Sequence, residues 1–230
     1  MKKKQFVIII ALVCIAIAAV VLILTRENND KNEIPRELEI SDVSIDASAN
    51  GIAVVAARNI AGLYVEDGSD EVLDNIFAVD FCNDADVDLQ LAEIVLTIDG
   101  EEYNFKITTL PQGETVRAME MNRKPMPASY KNCEMRCDHT AWFNESPSVH
   151  QDALDIVEQE GGLVIKNVSS TTINAPIYVF YKNYIDGTYV GGITYRTTVA
   201  ENLPAGEATA VGAGHFVPGS SKIMFVEYAG

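Results

Sequence analysis

Two hydrophobic patterns divide the chain. Residues 6–24 form an uncharged apolar run of nineteen residues with no polar stripe, whereas from residue 51 onward short stretches rich in Val, Ile, Phe and Tyr are separated by turn residues. At about 1.5 Å per residue the first pattern makes a helix of roughly 28 Å, close to the thickness of a bilayer's hydrocarbon core. The second predicts strands over residues 52–57, 62–66, 75–82, 89–98, 103–108 and 114–121, then over 154–159, 163–167, 177–183, 189–199, 208–215 and 223–228. Between them stand Asp67-Gly68, Asn83-Asp84, Asp99-Gly100, Asp186-Gly187 and Pro218-Gly219, residues that accept the backbone angles of tight turns. In residues 93–99 the alternation of Ile94, Leu96 and Ile98 with Val95, Thr97 and Asp99 gives a strand one buried face, and Asp99-Gly100 predicts a hairpin. Only residues 148–155 have room for a helical turn. Short antiparallel strands at this spacing imply an all-β ectodomain built of β-sandwiches.

The apolar run is expected to stay in the membrane, with residues 5–25 in the lipid bilayer. A cleaved signal peptide has a shorter core and an Ala-x-Ala-like site, whereas this run ends Val-Leu-Ile-Leu-Thr-Arg26. Lipidation at Cys14 needs small residues before it, and Ala11-Leu12-Val13 fit that pattern poorly. Lys2, Lys3 and Lys4 precede the run and a single Arg26 follows it, so the rule of positive cytoplasmic flanks places the N-terminus inside and the rest outside the cell membrane. The organisation expected is a tip and anchor over 1–26, a linker over 27–50, a first sandwich over 51–147 and a second over 148–230.

Charge narrows the partners. Beyond residue 26 the chain has 13 basic and 33 acidic residues, a net charge of −20. That repels nucleic acid and anionic lipid headgroups, so no nucleic-acid partner is expected.

The body contains an internal repeat. Asn83 is followed by Leu89, Asp99-Gly100 and Leu110-Pro-Gln-Gly-Glu114; Asn167 is followed by Ile173, Asp186-Gly187 and Leu203-Pro-Ala-Gly-Glu207. From Asn to Leu-Pro is 27 residues in the first copy and 36 in the second, so the second has longer strands or an insertion. One strand unit used twice implies two similar sandwiches in tandem. The second copy, with Val164-Ile-Lys-Asn167-Val-Ser169, Tyr178-Val-Phe-Tyr181, Asp186-Gly187-Thr-Tyr189-Val-Gly191 and Leu203-Pro-Ala-Gly206-Glu207, resembles the FxLYD-type immunoglobulin-like domains of bacterial surface proteins. The resemblance covers roughly residues 160–228, and 75–121 more weakly. It implies an extracellular module with no catalytic residues to transfer.

Candidate chemistry is sparse. Of the exported cysteines, Cys133 and Cys137 are the first choice for a disulfide closing a small loop; Cys82 with either is the alternative, and a zinc set of Cys133, Cys137 and His139 lacks its further ligands. The histidines His139, His150 and His215 are scattered, and no serine or cysteine stands in a nucleophile-elbow context. Gly191-Gly192 lies within a strand pattern with no helix after it, which marks a bulge or a close backbone approach rather than a phosphate cradle. No cofactor or metal is expected. The aromatic cluster around Tyr178, Phe180, Tyr181, Tyr184, Tyr189 and Tyr195 either fills a core or offers a contact surface, for which Tyr181, Tyr184 and Tyr189 are the candidates. The reading is a non-enzymatic, membrane-anchored extracellular protein that contacts an envelope protein partner; the alternative is a ligand- or glycan-binding module.

Overall fold

A computed structural model describes residues 36–43, 45–69 and 71–229, and all the helix or strand among them is strand. The expected anchor over 1–26, with Cys14, lies outside the described residues, and no helix among the described ones is long and apolar enough to cross a membrane. The elements are β1 (Arg36–Val43), β2 (Ser48–Ala49), β3 (Ile52–Leu63), β4 (Val72–Asn83), β5 (Leu89–Ile98), β6 (Glu101–Leu110), β7 (Thr115–Met119), β8 (Cys133–Trp142), β9 (Leu154–Gln159), β10 (Gly162–Asn167), β11 (Asn174–Ile185), β12 (Thr188–Val199), β13 (Ala208–Gly212) and β14 (Ser221–Ala229).

Three sheets hold them. The largest runs β1-β3-β4-β7-β12-β11-β14, with β2 also on β3; the others are β6-β5-β8 and β13-β10-β9. Period-two burial sets which sheets meet. Phe77, Val79 and Phe81 of β4 pack with Ile94, Leu96 and Ile98 of β5 and with Tyr103, Phe105 and Ile107 of β6 in one core. Val179 and Tyr181 of β11 pack with Leu163 and Ile165 of β10 in another. Edge-to-face ring pairs, Phe77 with Tyr103 and Phe105 and Phe81 with Phe105, fix the centre of the first core.

The two halves share one connectivity. In the first, β3-β4-β7 faces β6-β5-β8; in the second, β9-β10-β13 faces β12-β11-β14, strand for strand in the same order. Asn83 and Asn167 hold equivalent places. The Asn83 amide donates to the carbonyls of Val87 and Leu110, and its oxygen accepts from Ala85 N–H. The Asn167 amide donates to Thr171 and Leu203 while Ser169 N–H donates back. Both side chains are fully buried, and each closes the loop to its Leu-Pro turn, which is why the 27- and 36-residue spacings begin and end on the same residue types.

Several expected boundaries shift. The stretches 52–57 and 62–66 join in one strand, β3, because irregularities between Val54 and Ala56 and between Ile60 and Gly62 carry the pairing through. Within the expected linker, where the alternation of Leu38, Ile40, Val43 and Ile45 allows a first strand from near Glu37, β1 and β2 pair with β3, and Ile45 is buried in the first core. Strand β8 was not anticipated, since its outward face carries Glu134, Arg136 and Asp138 and masks the inward Cys133, Met135 and Cys137. The helical turn for which residues 148–155 have room is present as a single one: residues 151–153 make a turn in which Leu154 N–H bonds to His150 O, four residues back.

Candidate functional site at the joint between the halves

The halves meet where the edge strand β7 pairs in parallel with β12, Val116 opposite Tyr189 and Arg117 opposite Val190. This is possible because the β11–β12 hairpin is long. Its Asp186-Gly187 turn, with both residues at positive φ (47° and 87°), allows twelve-residue strands on either side, and Tyr189 near its tip is buried in the core of the first half.

Beside this seam β12 bulges. Tyr181 of β11 opposes Tyr195 and Asn183 opposes Val190, so residues 191–194 of β12 face only Lys182. Three carbonyls and two amides of the bulge need partners other than the backbone of β11, and two buried charged side chains supply them. The Lys182 ammonium donates to the carbonyls of Gly191 (3.0 Å), Gly192 (2.6 Å) and Ile193 (3.0 Å). On the amide side, the Glu66 carboxylate accepts from Gly192 N–H at 2.8 and 2.9 Å, from Ile193 N–H at 3.2 Å and from Met119 N–H of β7 at 2.8 Å. Glu66 is 4% exposed and Lys182 fully buried.

Electrostatics at this pair pull two ways. Burial pushes the Glu66 carboxyl above the usual carboxylate range, opposed by the amides of Gly192 and Met119 and by the charge of Lys182. Burial likewise lowers Lys182, and Glu66 raises it again. Three carbonyls match the three protons of an ammonium, so the geometry holds the charged lysine.

Glycine is required here. Gly191 has φ of +88°, and a Cβ on Gly192 would lie 1.9 Å from the Lys106 carbonyl oxygen. The expected bulge and close approach at these two residues are therefore both present. Thr194 N–H donates to Thr108 Oγ1 (2.7 Å), Thr194 Oγ1 donates to Thr108 O (2.8 Å), and Tyr195 OH donates to Val65 O (3.3 Å), so β3's following loop, β6, β7, β11 and β12 converge.

The residues singled out in the sequence do not form this site. Tyr181 (2% exposed) and Tyr189 (4%) lie in the cores of the second and first halves, which corrects their assignment to a contact surface: as inward positions of period-two strands, their rings fill the interior. Tyr184 alone of the three is half-buried at the surface, under the Lys222 ammonium 3.0 Å from its ring centroid. Cys133 and Cys137 are free thiols. They sit four residues apart on one regular strand, opposite Ile98 and Ile94, and at about 3.3 Å per residue are some 13 Å apart, beyond the roughly 7 Å that a disulfide tolerates. Burial raises both thiols above their ordinary range. His139 follows a register shift and is exposed, and no group of three or more metal-ligating side chains gathers among the described residues.

Two clefts remain. One of about 530 Å³ is lined by Val149, Leu154, Ile156, Val168 and Ile223 with Gln151 and Asp155. Another, of about 370 Å³, holds Glu101, Tyr103 and Lys124, which are bonded to one another: Tyr103 OH and Lys124 Nζ both donate to the Glu101 carboxylate. No family model, curated protein or solved structure matches the chain.

Proposed function

We propose that the chain is a non-enzymatic, membrane-anchored extracellular protein presenting two tandem immunoglobulin-like β-sandwiches, in one fixed arrangement, to another protein of the cell envelope. The observation that supports this most is the joint. A continuous sheet, a bulge satisfied by Glu66 and Lys182, and a tyrosine of one half in the core of the other make a stiff double module, which suits a scaffold that holds a contact surface at a set distance and angle. The three lysines before residues 5–25, and the acidic balance beyond them, support an anchor whose body is exported. The glycan- or ligand-binding alternative is less well supported, because in the cleft that combines a tyrosine with carboxylates Glu101 is already engaged with Tyr103 and Lys124, and Asp99 with Asn132.

Protease treatment of intact cells carrying the full chain, followed by crosslinking and mass spectrometry, tests the reading. Degradation of residues beyond 35 without lysis, together with recurrent crosslinks to one envelope protein, is the expected result. Full protection of the chain in intact cells overturns the exported topology.

A further inference from the structure

The seam between the halves exposes what is missing at the far end. In the first half the fifth strand of the repeat, β7, has its outer edge filled by β12. Its equivalent in the second half, β13, is paired with β10 on one side, and among the described residues no strand lies on the other. The hydrogen bonds around β13 fix which groups point outward. Asn167 N–H donates to Glu207 O and Ala213 N–H donates to Gly161 O, so odd-numbered residues turn their backbone toward β10, and Ala208, Ala210 and Gly212 turn theirs away. Thr197 Oγ1 donates to the Gly212 carbonyl. Ala208 and Ala210 are left, both exposed, with an N–H and a C=O each facing solvent.

Natural edges are guarded by charge, proline, bulges or covering segments. The edges at β9, β8 and β14 follow that rule: β9 carries Asp155 and Glu158, β8 carries Glu134, Arg136 and Asp138, and β14 carries Lys222 and Glu227 and gives its Val226 N–H to Ser148 O. Strand β13, Ala208-Thr-Ala-Val-Gly212, has none of these guards. In a chain of net charge −16, two copies can pair edge to edge only where like charges do not meet, and this strand is such a place.

We propose that β13 pairs with β13 of a second copy, antiparallel across a two-fold axis, joining two three-stranded sheets into one of six strands. Ala208 of each copy lies opposite Ala210 of the other, so the free groups of both residues are used and the Thr197 bond to Gly212 is kept. A closed dimer follows rather than a filament, because the strand that would continue the chain head to tail, β6, is covered: Asn104 O accepts from Met121 N–H and Thr108 O from Thr194 Oγ1. The pairing goes beyond the envelope reading and does not require it.

A photoreactive residue placed at Ala208 or Ala210 of the full chain, in cells making two differently tagged copies, tests it, with a probe at Val157 on β9 as the comparison. Illumination is expected to give a chain-to-chain adduct carrying both tags from 208 and 210, about tenfold more than from 157. Ala210→Lys, read with the probe at 208, and Ala208→Lys, read with the probe at 210, are each expected to reduce the adduct about tenfold while the melting temperature of the purified chain stays unchanged. Adducts from 208 and 210 with a different protein alone, no adduct at all, or an adduct indifferent to both lysines overturns the pairing.

Discussion

The two halves have the same six-strand connectivity and the same buried asparagine, yet they use their fourth strand differently. In the first half β6 is ten residues long and stays within its own sandwich; in the second, β12 is twelve residues long and its hairpin reaches out of its sandwich to pair with β7. The shared features, Asn83 and Asn167 with their turns, are what the unit needs to fold. The extra length and the Gly191-Gly192 bulge are what joins one unit to the next. A repeated fold is thus made into a single body by altering one hairpin, at the expense of burying a carboxylate and an ammonium that neither unit needs alone.

That contrast is most sharply tested at the buried pair. Glu66→Ala leaves the amides of Met119, Gly192 and Ile193 without an acceptor, and Lys182→Met leaves three carbonyls without a donor; each also removes the counter-charge of the buried group that stays, and each is expected to lower stability by about 3–5 kcal/mol in urea unfolding, with the double variant losing less than the sum. The asparagines come next. Asn83→Ala and Asn167→Ala each strand two buried carbonyls and an amide, so losses of about 2–3 kcal/mol, alike in the two halves, are expected from thermal unfolding; a large inequality would break the equivalence of the units. A somewhat smaller loss, about 1–3 kcal/mol, is expected for Gly192→Ala, whose Cβ must displace the Lys106 carbonyl, against about 1 kcal/mol for Gly187→Ala, where only the positive φ is strained.

The smallest effect concerns pH. Burial raises the Tyr189 phenol from 10.0 to about 12 in the folded chain. The folded state therefore holds a proton that the unfolded state has lost between those values, so this contribution is complete below pH 10 and disappears as pH rises toward 12. Tyr189→Phe should flatten the decline in stability across that window, measured by urea midpoints at pH 9, 10 and 11.

Much of the strand plan was legible because it rests on local rules. Asp99-Gly100 and Asp186-Gly187 predict hairpins by their backbone preferences alone, and the φ values of 50°, 90°, 47° and 87° are those such turns need. The strands over 89–98 and 154–159 were placed to the residue. The asparagine repeat was visible as spacing. Its cause, an amide reaching the carbonyl of the Leu before each proline, was not, because that bond spans 27 and 36 residues. Strand β8 escaped because Cys133 and Cys137 suggested a loop, although Glu134, Arg136 and Asp138 alternate with them at the strand period. Nothing local marks Glu66 or Lys182: Glu66 opens the acidic turn Glu66-Asp67-Gly68 and Lys182 is a single charge in a strand, and their pairing across the bulge exists only once β7 and β12 have met. Gly191-Gly192 was the one signal within the chain that pointed to the place.

The order of the large sheet also decides how the molecule bears tension. Its first and last strands, β1 and β14, stand at opposite ends of seven strands, about 29 Å apart at 4.8 Å per step. A pull between the N-terminal side and anything gripping the far end must cross every rung between them, and the thinnest is the two-residue junction of β7 with β12. Glu66, reaching from the first half to the amides of both strands, rivets that junction from the side, so the load borne by the weakest rung is shared with a buried carboxylate.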